Sequence, residues 1–326
     1  MKTVKLTKGK YMTRLIQVLL AVLFISSNLF ANEQIKIVGS STVYPFTTVV
    51  AEQFGKAGKY KTPVVESTGT GGGMKLFCGG VDLNTPSATN ASRAIKEKEA
   101  KLCEKNGVSY IEIMIGNDGI AFINGRGNVQ MDVTKEQLWQ AMADKGSKPA
   151  RWSDIDPSLP NQKIAILTPP ATSGTRDAWN ELVMLEGCAA EVKKANKEEC
   201  TILREDGAVI EAGENDTLLI QKVVAEPEYF AILGFSYLDN AKDKIQAATI
   251  EGKTISLASI QSYEYPVARP LFVYFKKEHI AVVPGLDKFI KTYVSSRAIG
   301  PKGYLVSKGL VPLDKKTLDE MVKRTK

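Results

Sequence analysis

The sequence has few of the side chains on which metal, redox and nucleophilic chemistry depend. Its 326 residues include one histidine, His279, and four cysteines that form no Cys-x-x-Cys pair. A zinc or redox site is therefore a poor interpretation. A serine nucleophile needs a general base, and His279 stands in the charged run 276–279, which indicates the surface. Since no Gly-x-Ser-x-Gly motif occurs either, we expect no enzyme, no cofactor and no metal.

The net positive charge is also small once the amino terminus is set apart. The whole chain carries +7, and residues 1–31 hold five basic residues and no acidic one. Subtracting those five charges leaves +2 for the rest of the chain. The remaining lysines and arginines are scattered rather than arranged in a stripe, so the sequence does not predict nucleic-acid binding.

Residues 1–31 have the pattern of a secretory signal peptide. A basic start is followed by the almost wholly apolar run 15–30 and by the small residue Ala31. The run is shorter than the ~20 residues that span a bilayer, which favours cleavage over a retained anchor. No cysteine stands where a lipid anchor would need it. We therefore expect an exported mature protein that is free and soluble.

An even number of cysteines in an exported chain favours disulfides. Three pairings of Cys78, Cys103, Cys188 and Cys200 are possible. The local pairing, Cys78 with Cys103 and Cys188 with Cys200, closes the shortest loops and keeps each bridge within one lobe.

The mature chain, about 295 residues long, exceeds what one core usually supports, so we expect two lobes. Short apolar strand candidates alternate with helical stretches, which predicts an α/β architecture. The chain has no long linker, so we expect it to cross between lobes near 119–124 and 262–268. The predicted domains are then a signal peptide over 1–31, a discontinuous first lobe over 32–120 plus 266–326, and a second lobe over 121–265.

Three turns rich in glycine and hydroxyl side chains each follow a strand candidate and open onto a helix, at 39–46, 67–75 and 169–177. A helix start offers unpaired backbone N–H groups and a positive dipole end. Glycines let an anion approach that backbone, and hydroxyls add donors. Any one turn is equally well explained by ordinary capping, but the three together favour an oxyanion cradle. In the second turn, Met74-Lys75 stands where a Walker nucleotide-binding loop would end in Gly-Lys-Ser/Thr. Nucleotide hydrolysis is therefore not indicated.

Several other residues near these turns have two interpretations. Arg93 is either a planar donor to a phosphate oxygen or a surface helix charge. Arg176 either does the same or pairs with Asp177. The segment 116–119, which contains Asp118, is favoured as a hinge turn over an acceptor site. In the acidic stretch 205–216, Asn215 or Asp216 is predicted to cap the next helix.

At these turns the sequence resembles the periplasmic phosphate-binding proteins of ABC-type phosphate uptake. The segments that carry the resemblance are GSSTVYPF (39–46), STGTGGGMK (67–75), NASRAIK (90–96), GNDGIAF (116–122), TSGTRD (172–177), AILGFSYL (231–238) and YPVARPLFVYF (265–275). Each motif alone is weak, but the ordered set spans nearly the whole mature chain.

The resemblance implies a type II periplasmic-binding fold, in which two α/β lobes joined by two crossovers close over phosphate without chemistry. It further implies a monomer that delivers phosphate to a membrane permease. Together with the local interpretations above, it gives the candidate ligand-binding set Ser41, Thr42, Val43, Thr70, Gly71, Ser92, Arg93, Asp118, Ser173, Gly174, Thr175 and Arg176.

Arg93 departs from the pattern of those members that have an aspartate after the serine. That aspartate accepts the proton of monohydrogen phosphate, and an arginine cannot accept one. The candidates for this role are Asp118, Asp177 and Glu66. The alternatives to phosphate capture are binding of another oxyanion such as sulfate or molybdate, a secreted phosphatase or hydrolase using Ser173 or Ser41, and a sensor or adhesion role.

Overall fold

The computed structural model describes residues 34–171, 173–213 and 215–325. The predicted signal peptide lies outside these ranges, and so does Thr172 of the third turn. Within them, no helix combines the length and the apolar character needed to cross a membrane.

The strands alternate with helices along the chain, as the sequence predicts. In chain order they are β1 (Lys36–Gly39), β2 (Val64–Val65), β3 (Ala88–Ala91), β4 (Tyr110–Gly125), β5 (Asp132–Val133), β6 (Ile166–Thr168), β7 (Val209–Glu211), β8 (Phe230–Gly234), β9 (Ile245–Ala247), β10 (Thr249–Ile250) and β11 (Ala268–Lys276).

In chain order the helices are α1 (Tyr44–Lys56), α2 (Thr70–Phe77), α3 (Glu97–Lys105), α4 (Lys135–Met142), α5 (Gly174–Trp179), α6 (Ala190–Ala195), α7 (Asp216–Ala225), α8 (Phe235–Asn240), α9 (Leu257–Gln261), α10 (Lys277–Ile280), α11 (Leu286–Tyr293), α12 (Ser296–Ile299) and α13 (Lys315–Lys323). Three of the helices, α1, α2 and α5, begin within the turns singled out in the sequence. A π-helical segment, Asn180–Met184, continues α5. Asn215 caps α7 by accepting from the N–H groups of Thr217 and Leu218, as predicted.

One mixed sheet runs through the molecule in the order β2-β1-β3-β11-β4-β8-β6-β7, with β9 also paired to β4. Strands β1, β2 and β3 are parallel to each other, whereas β11 is antiparallel to both β3 and β4. On the other side of β4, β8 is antiparallel to it, and β6 is parallel to β7 and β8. The long strands β4 and β11 therefore connect two sets of parallel strands.

The prediction of a hinge turn at 116–119 is wrong. These residues lie inside β4, where Asp118 is opposite Arg269 of β11. The backbone of Asn117 also exchanges two hydrogen bonds with Val311, at 2.8 and 3.0 Å. Gly116 is needed here because a side chain would lie 2.7 Å from Leu310. Pairing on the strand thus outweighs the local turn preference of a Gly-Asn-Asp-Gly sequence.

The placement of His279 on the surface is also wrong. Its side chain is fully buried, and its two ring nitrogens contact Ser87 Oγ at 3.1 Å and the carbonyl oxygen of Val81 at 3.0 Å. Burial lowers the pKa of this imidazole. The charged neighbours in the sequence do not reveal this, because the segment turns inward where β11 ends and α10 begins.

The buried hydrophobic residues form separate clusters on the two sides of the long strands. The largest draws mainly on residues 120–267 and contains Trp152, Trp179 and Phe230. Others draw on residues 35–115 and 271–321. Both disulfides follow the local pairing, Cys78–Cys103 and Cys188–Cys200.

Candidate functional site

The first and second turns meet because glycines allow their backbones to touch. Gly39 ends β1 with φ +122°, and a Cβ there would lie 2.2 Å from the carbonyl oxygen of Asn90. A Cβ on Gly73 in α2 would lie 2.4 Å from Cα of Gly39. The start of α1, the start of α2 and the end of β3 are therefore held at one edge of the sheet.

Hydroxyl groups join the second turn to the segment after β3. The Thr70 hydroxyl accepts from the backbone N–H of Ser92 at 3.2 Å and lies 3.1 Å from the Ser92 hydroxyl. Gly71 follows in the first turn of α2, and a Cβ at that position would meet open space. Val43, which is buried, precedes α1. The predicted candidates from residues 41–93 therefore lie on adjoining elements.

The third turn reaches the first from the other side of the long strands. A Cβ on Gly174 would lie 2.6 Å from Cα of Thr42, so the two turns are in backbone contact. The Thr42 hydroxyl donates to the carbonyl oxygen of Gly174 at 3.1 Å, and the Ser41 hydroxyl donates to Asp177 Oδ2 at 3.2 Å. Ser173 caps α5, because its hydroxyl accepts from the N–H of Thr175. Two of the three predicted turns thus face each other directly.

Arg269 of β11 places a positive charge at this junction, and the sequence analysis did not single it out. Its side chain is 5% exposed. Nη2 donates to the Thr42 hydroxyl at 2.7 Å, Nη1 donates to Glu181 Oε2 at 2.5 Å, and Nε lies 3.7 Å from Asp118 Oδ2. The sequence signal for Arg269 is its position in segment 265–275, one of the segments that carry the family resemblance.

Asp118 is the carboxylate most enclosed by the site. Among the described residues, its Oδ2 has no hydrogen-bond partner. Burial raises the pKa of this carboxyl, and Asp177 raises it further, against the opposing effect of Arg269. Of the three candidates for recognising a ligand proton, Asp118 and Asp177 are at the junction. The third, Glu66, is an exposed residue directly after β2.

The two arginines predicted from the sequence are held by other acidic residues. Arg93 binds Glu99 through both terminal nitrogens, at 2.9 and 2.8 Å, and this hydrogen bonding raises the pKa of its guanidinium. Arg176 donates to Glu211 at 3.1 Å, and to the carbonyl oxygen of Pro169 and to Asn180 at the same distance. The structure thus shows Arg176 paired with Glu211, whereas the sequence analysis considered Asp177 as its partner.

A family model described as a PBP superfamily domain matches residues 27–297. The chain belongs to this superfamily. Its two sets of parallel strands, joined through β4 and β11, are the type II periplasmic-binding fold that the sequence predicted.

Similar PBP superfamily proteins include both curated sequences and solved structures. Protein SphX of Synechococcus elongatus is 31% identical over 294 residues, covering 86% of this chain and 80% of that protein. The phosphate-binding protein PstS of Staphylococcus saprophyticus is 28% identical over 288 residues, covering 86% and 81%. The crystal structure of a possible phosphate binding protein from Planctomyces limnophilus has a TM-score of 0.76 at 28% identity, covering 90% and 97%.

Proposed function

We propose that this protein captures inorganic phosphate outside the cytoplasm and delivers it to an ABC-type permease in the inner membrane. The observation that carries the proposal is the contact between Thr42 and Gly174, which brings two anion-binding turns face to face. The buried guanidinium of Arg269 lies beside them. The PstS protein named above is a phosphate-binding protein of the same superfamily, and its likeness extends over most of both chains.

Phosphate would be held by donors from both sides of the junction. The first turn supplies Ser41, Thr42 and Val43, and the third supplies Ser173, Gly174 and Thr175. Thr70 and Gly71 of the second turn, Ser92, Arg93 and Arg176 stay predictions for the same role, as does Asp118. We add Arg269, since a buried guanidinium forms strong, directional hydrogen bonds with phosphate oxygens.

Binding would proceed by closure of two lobes about the long strands. The separate hydrophobic clusters on the two sides of β4 and β11 support the division into 32–120 plus 266–326 and 121–265. The third turn already contacts the first in this structure, which is the arrangement expected of a closed form. Such a closed form would exclude water and strengthen each charge-assisted hydrogen bond in the drier cleft. We infer that the protein is an exported monomer whose leader, residues 1–31, is removed.

The geometry gives little support to a hydrolase. A serine nucleophile at 41 or 173 would need a base, and the histidine of this chain is buried against Ser87. The hydroxyl of Ser41 instead contacts Asp177, and that of Ser173 caps a helix. We therefore propose binding without catalysis.

Titration calorimetry on the mature protein, stripped of ligand by unfolding and refolding, tests this function. We expect tight one-to-one binding of phosphate and weak binding of sulfate, measured at two pH values to detect a carboxylate that recognises the ligand proton. Equal binding of sulfate would indicate a general oxyanion receptor. An absence of heat with either anion would point to a sensor or adhesion role.

Replacing Ser173 by alanine tests the assignment of the third turn. We expect phosphate binding to weaken by about 1.5–3 kcal/mol, because a hydrogen bond to a charged ligand is lost. Ser307→Ala is a matched control, since Ser307 is exposed and donates to the carbonyl oxygen of Tyr304. Unchanged phosphate affinity in Ser173→Ala would remove this turn from the site.

A further inference from the structure

The charges around Arg269 do not suit an incoming anion as they stand. Asp118 and Glu181 contact the guanidinium, and Asp177 is close enough to affect the ionisation of Asp118. The charge of Arg93 is already balanced by Glu99. Even with a proton on Asp118, the group formed by Arg269, Asp177 and Glu181 carries one net negative charge. Placing a phosphate anion beside this group costs energy unless a carboxylate leaves.

Of the two carboxylates that contact Arg269, Glu181 is the better able to leave. Its side chain is 44% exposed, whereas that of Asp118 is 14% exposed and that of Arg269 is 5% exposed. It stands on the π-helical segment that continues α5, whereas Arg269 stands on β11. A rotation about its side-chain bonds would therefore carry its carboxylate into water, while the arginine stays in place.

The carboxylate of Glu181 also takes up hydrogen-bonding capacity of Arg269 that an anion could use. It accepts from Arg269 Nη1 at 2.5 Å. Its charge also contributes, after that of Glu99, to raising the pKa of the Arg93 guanidinium. The same carboxylate thus binds the guanidinium of Arg269 directly and acts on that of Arg93 through its charge. A tetrahedral oxyanion offers them the same kind of acceptor oxygen.

We propose that Glu181 is an internal competitor for the anion site, whose carboxylate occupies Arg269 and swings into solvent when phosphate binds. This inference rests on the proposed function and assigns a residue that sets its affinity. A competitor and a structural residue are distinguished by the direction in which Glu181 changes the phosphate affinity. A glutamate that merely orients Arg269 would assist binding, whereas a competitor weakens it.

Glu181→Gln tests the proposal by calorimetric titration with inorganic phosphate on the stripped mature protein. We expect phosphate to bind about 10-fold more tightly, because the amide is a weaker partner for Arg269 than the carboxylate. The control is Glu186→Gln, which removes an exposed negative charge five residues further along the chain. It should change the affinity less than 2-fold, and both variants should melt as the parent does.

Unchanged or weaker phosphate binding in Glu181→Gln would overturn the competitor role while leaving the proposed function standing, provided that the parent protein binds phosphate. If the parent gives no heat with phosphate, both inferences fall together. A crystal structure with phosphate supplies a second measurement. We expect Glu181 Oε2 more than about 4 Å from Arg269 Nη1, beyond ion-pair distance, and an intact contact would contradict displacement.

Discussion

Strand β11 carries a buried cation near each end, and the two cations have different surroundings. Arg269 lies among Asp118, Glu181 and the Thr42 hydroxyl. Lys276, which is fully buried, donates to the carbonyl oxygen of Gly80 and to the Thr85 hydroxyl, both at 2.6 Å.

The hydrogen-bond partners of Lys276 are neutral and belong to one loop. The ammonium also lies 5.2 Å from the ring centre of Phe77. Burial lowers the pKa of this lysine to about 8. Such a group anchors the loop between Cys78 and β3. Arg269 instead has three partners, from β4, the segment after α5 and the first turn. Two of them are carboxylates, which outnumber the cation, so one could be exchanged for a ligand. If the proposed function is correct, the difference between the two buried cations is that the partners of Arg269 can be replaced by a ligand.

The largest expected effect comes from removing the guanidinium at the site. Arg269→Ala should weaken phosphate binding about 1,000-fold, or about 4 kcal/mol, because the ligand loses a buried charged donor and Asp118 is left unpaired. Calorimetric titration with phosphate measures it, with a melting curve to establish folding. Lys276→Met is the matched control at the other end of the strand. Its affinity for phosphate should stay within 2-fold of that of the parent protein. A loss of phosphate affinity below 10-fold in Arg269→Ala would contradict the interpretation that Arg269 binds the ligand while Lys276 is structural.

The second prediction concerns stability without any effect on binding. Replacing Cys78 and Cys103 by alanine should lower the free energy of unfolding by about 3.5 kcal/mol, since the bridge closes a loop of separation 25. The corresponding change at Cys188 and Cys200, with separation 12, should cost about 3 kcal/mol. Urea unfolding measures both. Phosphate affinity should remain unchanged in both double variants. A 10-fold loss of phosphate affinity without Cys78 and Cys103 would contradict this and would link the Lys276 end of β11 to the site.

The smallest expected effect is a pH dependence of stability that depends on Lys276. The unfolded chain keeps this proton up to the ordinary lysine pKa of 10.5, whereas the folded protein releases it at about 8. The unfolded state therefore binds more protons between these values, and stability rises with pH there. Relative to Lys276→Met, the parent should gain about 2 kcal/mol between pH 7 and 9.5. Parallel urea titrations that show identical pH profiles would contradict this.

The sequence predicted the elements whose signals are local. Hydroxyl and glycine residues at a strand-to-helix junction predicted the turns around Ser41, Thr70 and Ser173, and helices begin at or near all three. The order of the motifs predicted the fold family. The sequence left three cysteine pairings open, and the structure has the one that closes the shortest loops. Strand β3 has no such local signal in the sequence. Two of the four residues in Ala88–Ala91 are polar, and the strand is buried only by the strands and helices around it.

The sequence by itself thus determined the α/β architecture and the positions of the three turns, because these depend on patterns of residues close together in the chain. The pairing of the four cysteines, which the sequence left open among three possibilities, was decided by the fold. Only the tertiary structure decided which charges meet. Arg269, Asp118 and Glu181 come from β11, β4 and the segment after α5, and their partners follow from sheet register and from the packing of one turn on another. The same applies to His279 and Lys276, whose charged surroundings in the sequence suggest exposure while the folded chain buries both.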